Sequence, residues 1–403
     1  MQTTQAAHHR VSKFNRVTTL TATLDRVSHA CIQCNLCSRE CGFLQHYGTP
    51  KEIAQGFKSS HDRYAMAFQC SLCHLCAAMC PVDVDPAAMF FEIRREAVRR
   101  GAGPMPGHRR ILEYERRSTS KWYSFYALPN GCDTIFFPGC TLPGTRPDKT
   151  WLLFEHIKAS LPSLGIVMDC CTKPSHDLGL QEHFTVMFGE MRGYLLGNGI
   201  QRVLVACPSC YKIFKAYGDG LAVESVYEFL AGDGLPVPRR LSGTVAVHDP
   251  CGVRHEKAVH RAVRHLCERQ GLAVQEMDHH GTRTLCCGEG GSVGYVAREY
   301  AQRWAALRRS ESNGARLMTY CAGCAHHLGA TAAHVVDLLF EPEATMAGKV
   351  KVSRAPVTYL NRLRLKRRFR KAVKGAITRE RPYISRALRN LRPAGGSSSR
   401  KAI

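Results

Sequence analysis

The chain has 403 residues, of which 44% are hydrophobic, and a formal net charge of +23. That length exceeds one ordinary core and implies two or three domains, while no stretch reaches the roughly 18 apolar residues of a membrane-spanning helix. The charge is lopsided: from Lys349 onward, eighteen Lys or Arg residues face a single acid, Glu380, which leaves the body nearly balanced.

Residues 1–30 read as a polar lead and then a helix running into the first cysteine group. The lead has no apolar h-region or cleavage site, so the expected location is cytoplasmic. Twenty cysteines in such a chain, clustered in CxxC steps, point to metal ligands rather than loop-stapling disulfides. Residues 31–81 hold two runs, Cys31-x2-Cys34-x2-Cys37-x3-Cys41 and Cys70-x2-Cys73-x2-Cys76-x3-Cys80-Pro81. Each matches the bacterial ferredoxin spacing, in which three cysteines hold one [4Fe–4S] cubane and the fourth ligates the other run's cluster. The expected sets are therefore Cys31, Cys34, Cys37 and Cys80 for one cubane, and Cys41, Cys70, Cys73 and Cys76 for the other. Structural zinc also favours CxxC, but two complete four-cysteine runs weigh against it. Gly42 stands where proline usually follows.

Asp85 is an N-cap and Pro86 a first-turn proline for a helix that stops at Gly101. GAGPMPGHRR reads as a linker, and ILEYERRSTSKWYSFYAL as helical. From about Gly131 short β-rich runs end in cysteines: DTIFFPGC, GIVMDCC and RVLVACPSC. The same order returns as TVAVHDPC, TRTLCCGEGG and ARLMTYCAGC, with helices between. This is an internal duplication, and alternating strands and helices predict two α/β halves with parallel strands whose cysteines gather at one edge. The expected fold is α+β multidomain: a small, mainly helical dicluster ferredoxin-like domain (1–105), a linker and helix (106–130), a first cysteine-rich module (131–235), a second (236–345) and a basic tail (346–403). In the tail Leu360, Leu363, Val373 and Ile377 only loosely mark one helical face, and GGSSSRKAI is expected to be disordered.

The first copy carries Cys140-x29-Cys170-Cys171-x35-Cys207-x2-Cys210, and the second Cys251-x34-Cys286-Cys287-x33-Cys321-x2-Cys324. Five sulfurs per copy are one more than a cubane needs. These motifs resemble the CCG-type cysteine-rich motifs of the heterodisulfide reductase family, and the whole arrangement resembles its D-type subunit and bacterial relatives. The module is also similar to parts of the iron–sulfur subunits of glycolate, lactate and glycerol-3-phosphate dehydrogenases. The resemblance spans about residues 25–340. It implies one or two further [4Fe–4S] clusters, cubane or noncubane, held by these ten cysteines. Cys286 and Cys287 are the expected catalytic cysteines, because CCGEGG matches the motif more fully than CCTKP, where Thr172 replaces the glycine at Gly288.

His248, ahead of Cys251, is the candidate proton donor; Asp249, His326 and His327 are weaker ones. Cys132 and Cys267 lie outside the motifs. No Rossmann fingerprint is present, so no flavin or NAD is expected on this chain. The leading expectation is an oxidoreductase subunit that passes electrons from two cubanes to CCG-type clusters, which reduce a disulfide or another two-electron acceptor. The alternative is a non-catalytic electron-transfer subunit of a membrane-associated respiratory or flavin dehydrogenase complex. Expected partners are a redox protein, such as a membrane cytochrome b, a quinone-reactive subunit or a flavoprotein, and an anionic membrane surface met by the basic tail. The latter would place the protein on the inner face of the cytoplasmic membrane. Nucleic acid is the less favoured partner for the tail.

Overall fold

The structure is a computed structural model and describes residues 19–59, 63–233, 236–237, 239–373 and 375–381. Most of the polar lead and the closing GGSSSRKAI lie outside them. The N-terminal part is helical. Thr19 caps the helix Leu20–Ala30 by accepting from the Ala22 N–H at 3.2 Å, and short helices carry the chain to Pro86–Arg99, which Asp85 caps through the Ala88 N–H. Leu24, Val27, Phe43, Phe57, Phe68, Phe90 and Ile93 pack together as its core.

Ten strands follow: β1 Phe125–Leu128, β2 Thr134–Phe137, β3 Gly165–Met168, β4 Arg202–Val205, β5 Ala222–Ser225, β6 Thr244–His248, β7 Ala273–Gln275, β8 Arg316–Thr319, β9 Ala332–His334 and β10 Ile377–Arg379. They form two sheets, ordered β10-β1-β3-β2-β4-β5 and β7-β6-β8-β9. The parallel cores β3-β2-β4-β5 and β7-β6-β8-β9 share one order, second-first-third-fourth. Their apolar faces meet in a continuous buried cluster, with the Tyr227 and Tyr320 rings 5.5 Å apart between them.

Three elements depart from the sequence reading. The expected helix through residue 128 ends at Ser118, and FYAL is β1, antiparallel to β3; all four of its residues are buried, as suits aromatic side chains on a covered strand. TRTLCC is not a strand. Its polar groups are spent elsewhere: the Thr284 hydroxyl donates to the Asp249 carbonyl at 2.8 Å, and the Thr282 carbonyl accepts from Arg254 at 2.6 Å. The second strand of that copy is β7, well upstream of Cys286. The basic segment is not a free tail as far as residue 381. Helix Val357–Ala372 buries Leu365 and Phe369, with Val373 buried just after it, while Leu360 and Ile377 are exposed. β10 then pairs antiparallel with β1.

Candidate iron–sulfur sites

In both ferredoxin-type loops the residues flanking the second cysteine lie in the left-handed region: Gln33 (φ 52°) and Asn35 (φ 60°), then Leu72 (φ 47°) and His74 (φ 56°). Non-glycine residues there carry strain, and the reversal coils each loop so that its cysteines converge. Two cavities result. One, of about 390 Å³, is lined by Cys31, Cys34, Cys37 and Cys80, with Cys76 at its edge. The other, of about 430 Å³, is lined by Cys41, Cys70, Cys73 and Cys76. Burial pushes the Cys37 thiol up to about 11, with Cys31, Cys34 and Cys80 adding to the rise. Burial likewise carries Cys41 up to about 12, with Cys73 next in weight. Four thiols gathered round one space are a donor set that fits iron and sulfide.

The ten cysteines of the two sheets gather at the strand ends where the sheets meet. Thiol–thiol hydrogen bonds run Cys140–Cys170–Cys171–Cys210–Cys207 in the first set and Cys251–Cys286–Cys287–Cys324–Cys321 in the second. Cys207 meets Cys321, so the two sets touch. The Tyr227 hydroxyl braces this junction, 3.2 Å from the carbonyls of both Ala206 and Tyr320, the residues preceding those two cysteines. Each of these cysteines is the N-cap of a helix, Pro208–Tyr217 or Ala322–Leu328; Cys207 is lowered, chiefly by donation from Cys210, while Cys321 is raised, chiefly by its contact with Cys207. The equivalent thiols Cys171 and Cys287 are both lowered to about 6, chiefly by donation from the adjoining Cys170 and Cys286. All twenty cysteines are free. Cys132 and Cys267 are buried apart from both sets.

The glycines of CCGEGG have a role that the sequence reading missed. A Cβ on Gly290 would lie 2.4 Å from the Ser71 carbonyl oxygen, and one on Gly291 2.6 Å from that of Cys70. They seat the ferredoxin loop against the second site, so that Cys73, Leu75, Leu285, Cys286 and Trp304 form one buried cluster. Gly288 (φ 102°) also donates its N–H to the Cys286 sulfur at 3.3 Å. The first copy makes the same left-handed turn with Thr172 (φ 56°). At Gly42 a Cβ would crowd the Arg303 side chain at 3.1 Å, which accounts for the missing proline.

Two buried arginines pin the parts together. Arg94 donates to the carbonyls of Ala67, Cys70, Asp177 and Gly291, and Arg254 to those of Cys73 and Thr282. The first site is closed from outside its own repeat. The Cys140 thiol is raised by its bond to Cys170 and by burial, a rise that Arg362 opposes, and Arg381 pairs with Asp169, whose carboxylate accepts from the Cys170 N–H at 2.7 Å.

His248 is fully buried with both ring nitrogens unpartnered. Burial first, then Arg308, lowers it to about 3, so it is neutral and ill-suited to the proton-donating role expected from sequence. Its ring lies within 4.8 Å of Cys287 and Cys324, and Glu289 stands in the same relation to Cys321 and Cys324. His326 is also lowered by burial.

Family comparisons agree with this chemistry. A 4Fe-4S dicluster domain matches residues 30–85, and a cysteine-rich domain matches residues 245–329. This is an iron–sulfur protein. It is 25% identical over 336 residues to the B-type subunit of fumarate reductase (CoM/CoB) from Methanothermobacter marburgensis, covering 74% of this chain and 67% of that one. It is 25% identical over 254 residues to the D-type subunit of dihydromethanophenazine:CoB–CoM heterodisulfide reductase from Methanosarcina mazei, covering 56% and 62%. Against EtfAB:quinone oxidoreductase of Syntrophomonas wolfei it is 21% identical over 266 residues, covering 58% of this chain and 37% of that one. The iron–sulfur protein thus spans less than two thirds of its heterodisulfide reductase relative. Among the described residues no helix is long and apolar enough to cross a membrane.

Proposed function

We propose that this iron–sulfur protein is an electron-transfer subunit in which two cubanes feed a pair of five-cysteine sites that reduce a disulfide or another two-electron acceptor. The observation that carries this reading is the continuous order of sulfurs. Cys34 is exposed, Cys76 borders both cavities, Cys73 packs with Cys286, and Cys207 meets Cys321. On this reading Cys31, Cys34, Cys37 and Cys80 hold the outer cubane, and Cys41, Cys70, Cys73 and Cys76 the inner one. The two sheets are copies of one duplicated module. Cys251, Cys286, Cys287, Cys321 and Cys324 hold the second-site cluster, next to the ferredoxin part. Cys140, Cys170, Cys171, Cys207 and Cys210 hold the first-site cluster, furthest from the donor, which is a poor place for a mere relay. When bound, such clusters store and pass single electrons, so two adjoining sites suit a two-electron acceptor.

The chain's own groups organise this path. Gly290 and Gly291 allow the inner loop to approach Cys286, and Arg94 and Arg254 hold it there. Cys286 is the second-site sulfur packed with Cys73, and from Cys287 the set runs through Cys324 to the Cys321–Cys207 junction. Ile32 and Val82, exposed and lining the outer cavity, offer apolar contact to a redox partner such as a flavoprotein or a membrane cytochrome. The outward face of helix Val357–Ala372 carries Arg364, Arg367, Arg368 and Lys371 and is the part of the basic segment suited to an anionic membrane surface.

One observation favours the alternative of a non-catalytic relay: Cys286, Cys287, Cys321 and Cys324 are all buried, which restricts a substrate's access. Turnover of disulfides by the anaerobically purified full chain, with reduced viologen as donor, separates the two. Oxidation of the dye that depends on disulfide, and is lost in Cys287→Ser, supports catalysis. No turnover by protein carrying about sixteen irons, four clusters' worth, leaves the relay.

A further inference from the structure

The two cysteine-rich sites differ at one position that strand register identifies. In the first sheet Phe137, the last residue of β2, pairs with Val205, two residues before Cys207. In the second, His248, the last residue of β6, pairs with Thr319, two residues before Cys321. The same place beside the strand-end sulfurs is therefore filled by a phenyl ring in one copy and an imidazole in the other. Both side chains are fully buried.

An imidazole placed there without a partner is costly. Leaving a buried polar group unsatisfied costs about 1–3 kcal/mol, and neither His248 nitrogen has a hydrogen-bond partner among the described residues. His108 is also buried with unpartnered ring nitrogens, but no set of thiols or carboxylates surrounds it; it lies 5.5 Å from the Phe68 ring. For His248 one ring nitrogen and the sulfurs of Cys287 and Cys324 all lie within 4.8 Å of one another. A ring nitrogen beside two sulfurs, with no other partner among the described residues, matches the donor types of a metal site.

We infer that His248 is an iron ligand, making the second site a mixed imidazole–thiolate centre while the first is held by thiolates alone. This rests on the reading of the second site as iron-binding. His248 stands where the first site has Phe137 and not where it has a cysteine, so the imidazole adds a neutral donor to the five thiols and gives the second site a nitrogen ligand that the first lacks.

The test uses the anaerobically purified full chain, produced with 14N- or 15N-labelled histidine, and pulsed EPR of the second-site signal. A strong nitrogen coupling that changes with the isotope and disappears in His248→Phe is expected. Phe137 shows that a phenyl ring fits this register position, and His248→Asn serves as a second variant should the first not fold. A redox titration should show the second-site signal shifting in either variant, with the ferredoxin-type signals unmoved. An iron-loaded second site in the wild-type protein, without strong histidine coupling, overturns the inference and leaves the proposed function standing. A chain with only about eight irons, two cubanes' worth, overturns both.

Discussion

The two cysteine-rich halves share a strand order and a thiol network, yet they are closed by unrelated parts of the chain. The second site is covered by the ferredoxin part, whose Ser71 and Cys70 carbonyls press on Gly290 and Gly291. The first is covered by the C-terminal segment, through Arg362 and the Arg381–Asp169 pair. A parallel α/β module leaves its strand-end edge open. Each half here has a different neighbour filling that edge, so one shared strand order has two different electrostatic surroundings.

The largest expected effects come from removing the cation that fixes each cover. Arg94→Met takes a buried guanidinium from four carbonyls, and Arg381→Met leaves Asp169 buried and unpaired. Each should cost about 3–5 kcal/mol in chemical denaturation. They should part company in iron retention, with Arg94→Met disturbing the second site and Arg381→Met the first. Equal iron loss from both sites in either variant would show that the covers are not independent.

Gly290→Ala sharpens the contrast at smaller scale. The added methyl meets backbone, so about 1–3 kcal/mol is expected, together with slower reduction of the second site through the ferredoxin part in stopped-flow measurements. Thr172→Gly, at the turn of the first copy, should change stability by less than about 1 kcal/mol and leave that rate alone. A Gly290→Ala protein with wild-type electron delivery would remove the docking role assigned to this glycine.

The smallest effect is local to the ferredoxin part. Burial opposes ionisation of Asp85, but His74 and the Ala88 N–H outweigh it and hold the carboxyl at about 2, below its ordinary 3.8. A depressed carboxyl adds stability that is fully present above the unfolded value and is lost as pH falls towards the folded one. Asp85→Ala should therefore cost about 1 kcal/mol at neutral pH, and the difference from wild type should shrink between about pH 4 and pH 2. A difference that stays constant down to pH 2 would rule out the carboxylate as its source.

Local spacing alone decided much of this. The cysteines of the ferredoxin-type runs line two spaces because three of each run lie within seven residues, and a loop that short has few ways to close. The helix Pro86–Arg99 was legible from its cap and proline, and the parallel strands from β-branched runs that end in cysteines. What the sequence could not decide was everything joined across long separations. Arg381 reads as one more cation in a basic run until Asp169 meets it, 212 residues away. The glycines of CCGEGG read as a fuller match to the motif until Ser71 arrives. His248 reads as a proton donor until burial strips its partners and leaves it facing two cysteines. Composition and spacing fix which atoms are available as ligands, because thiol chemistry is local. Which site each neighbour covers is set by packing, because an open strand-end edge accepts whatever segment the tertiary fold brings to it.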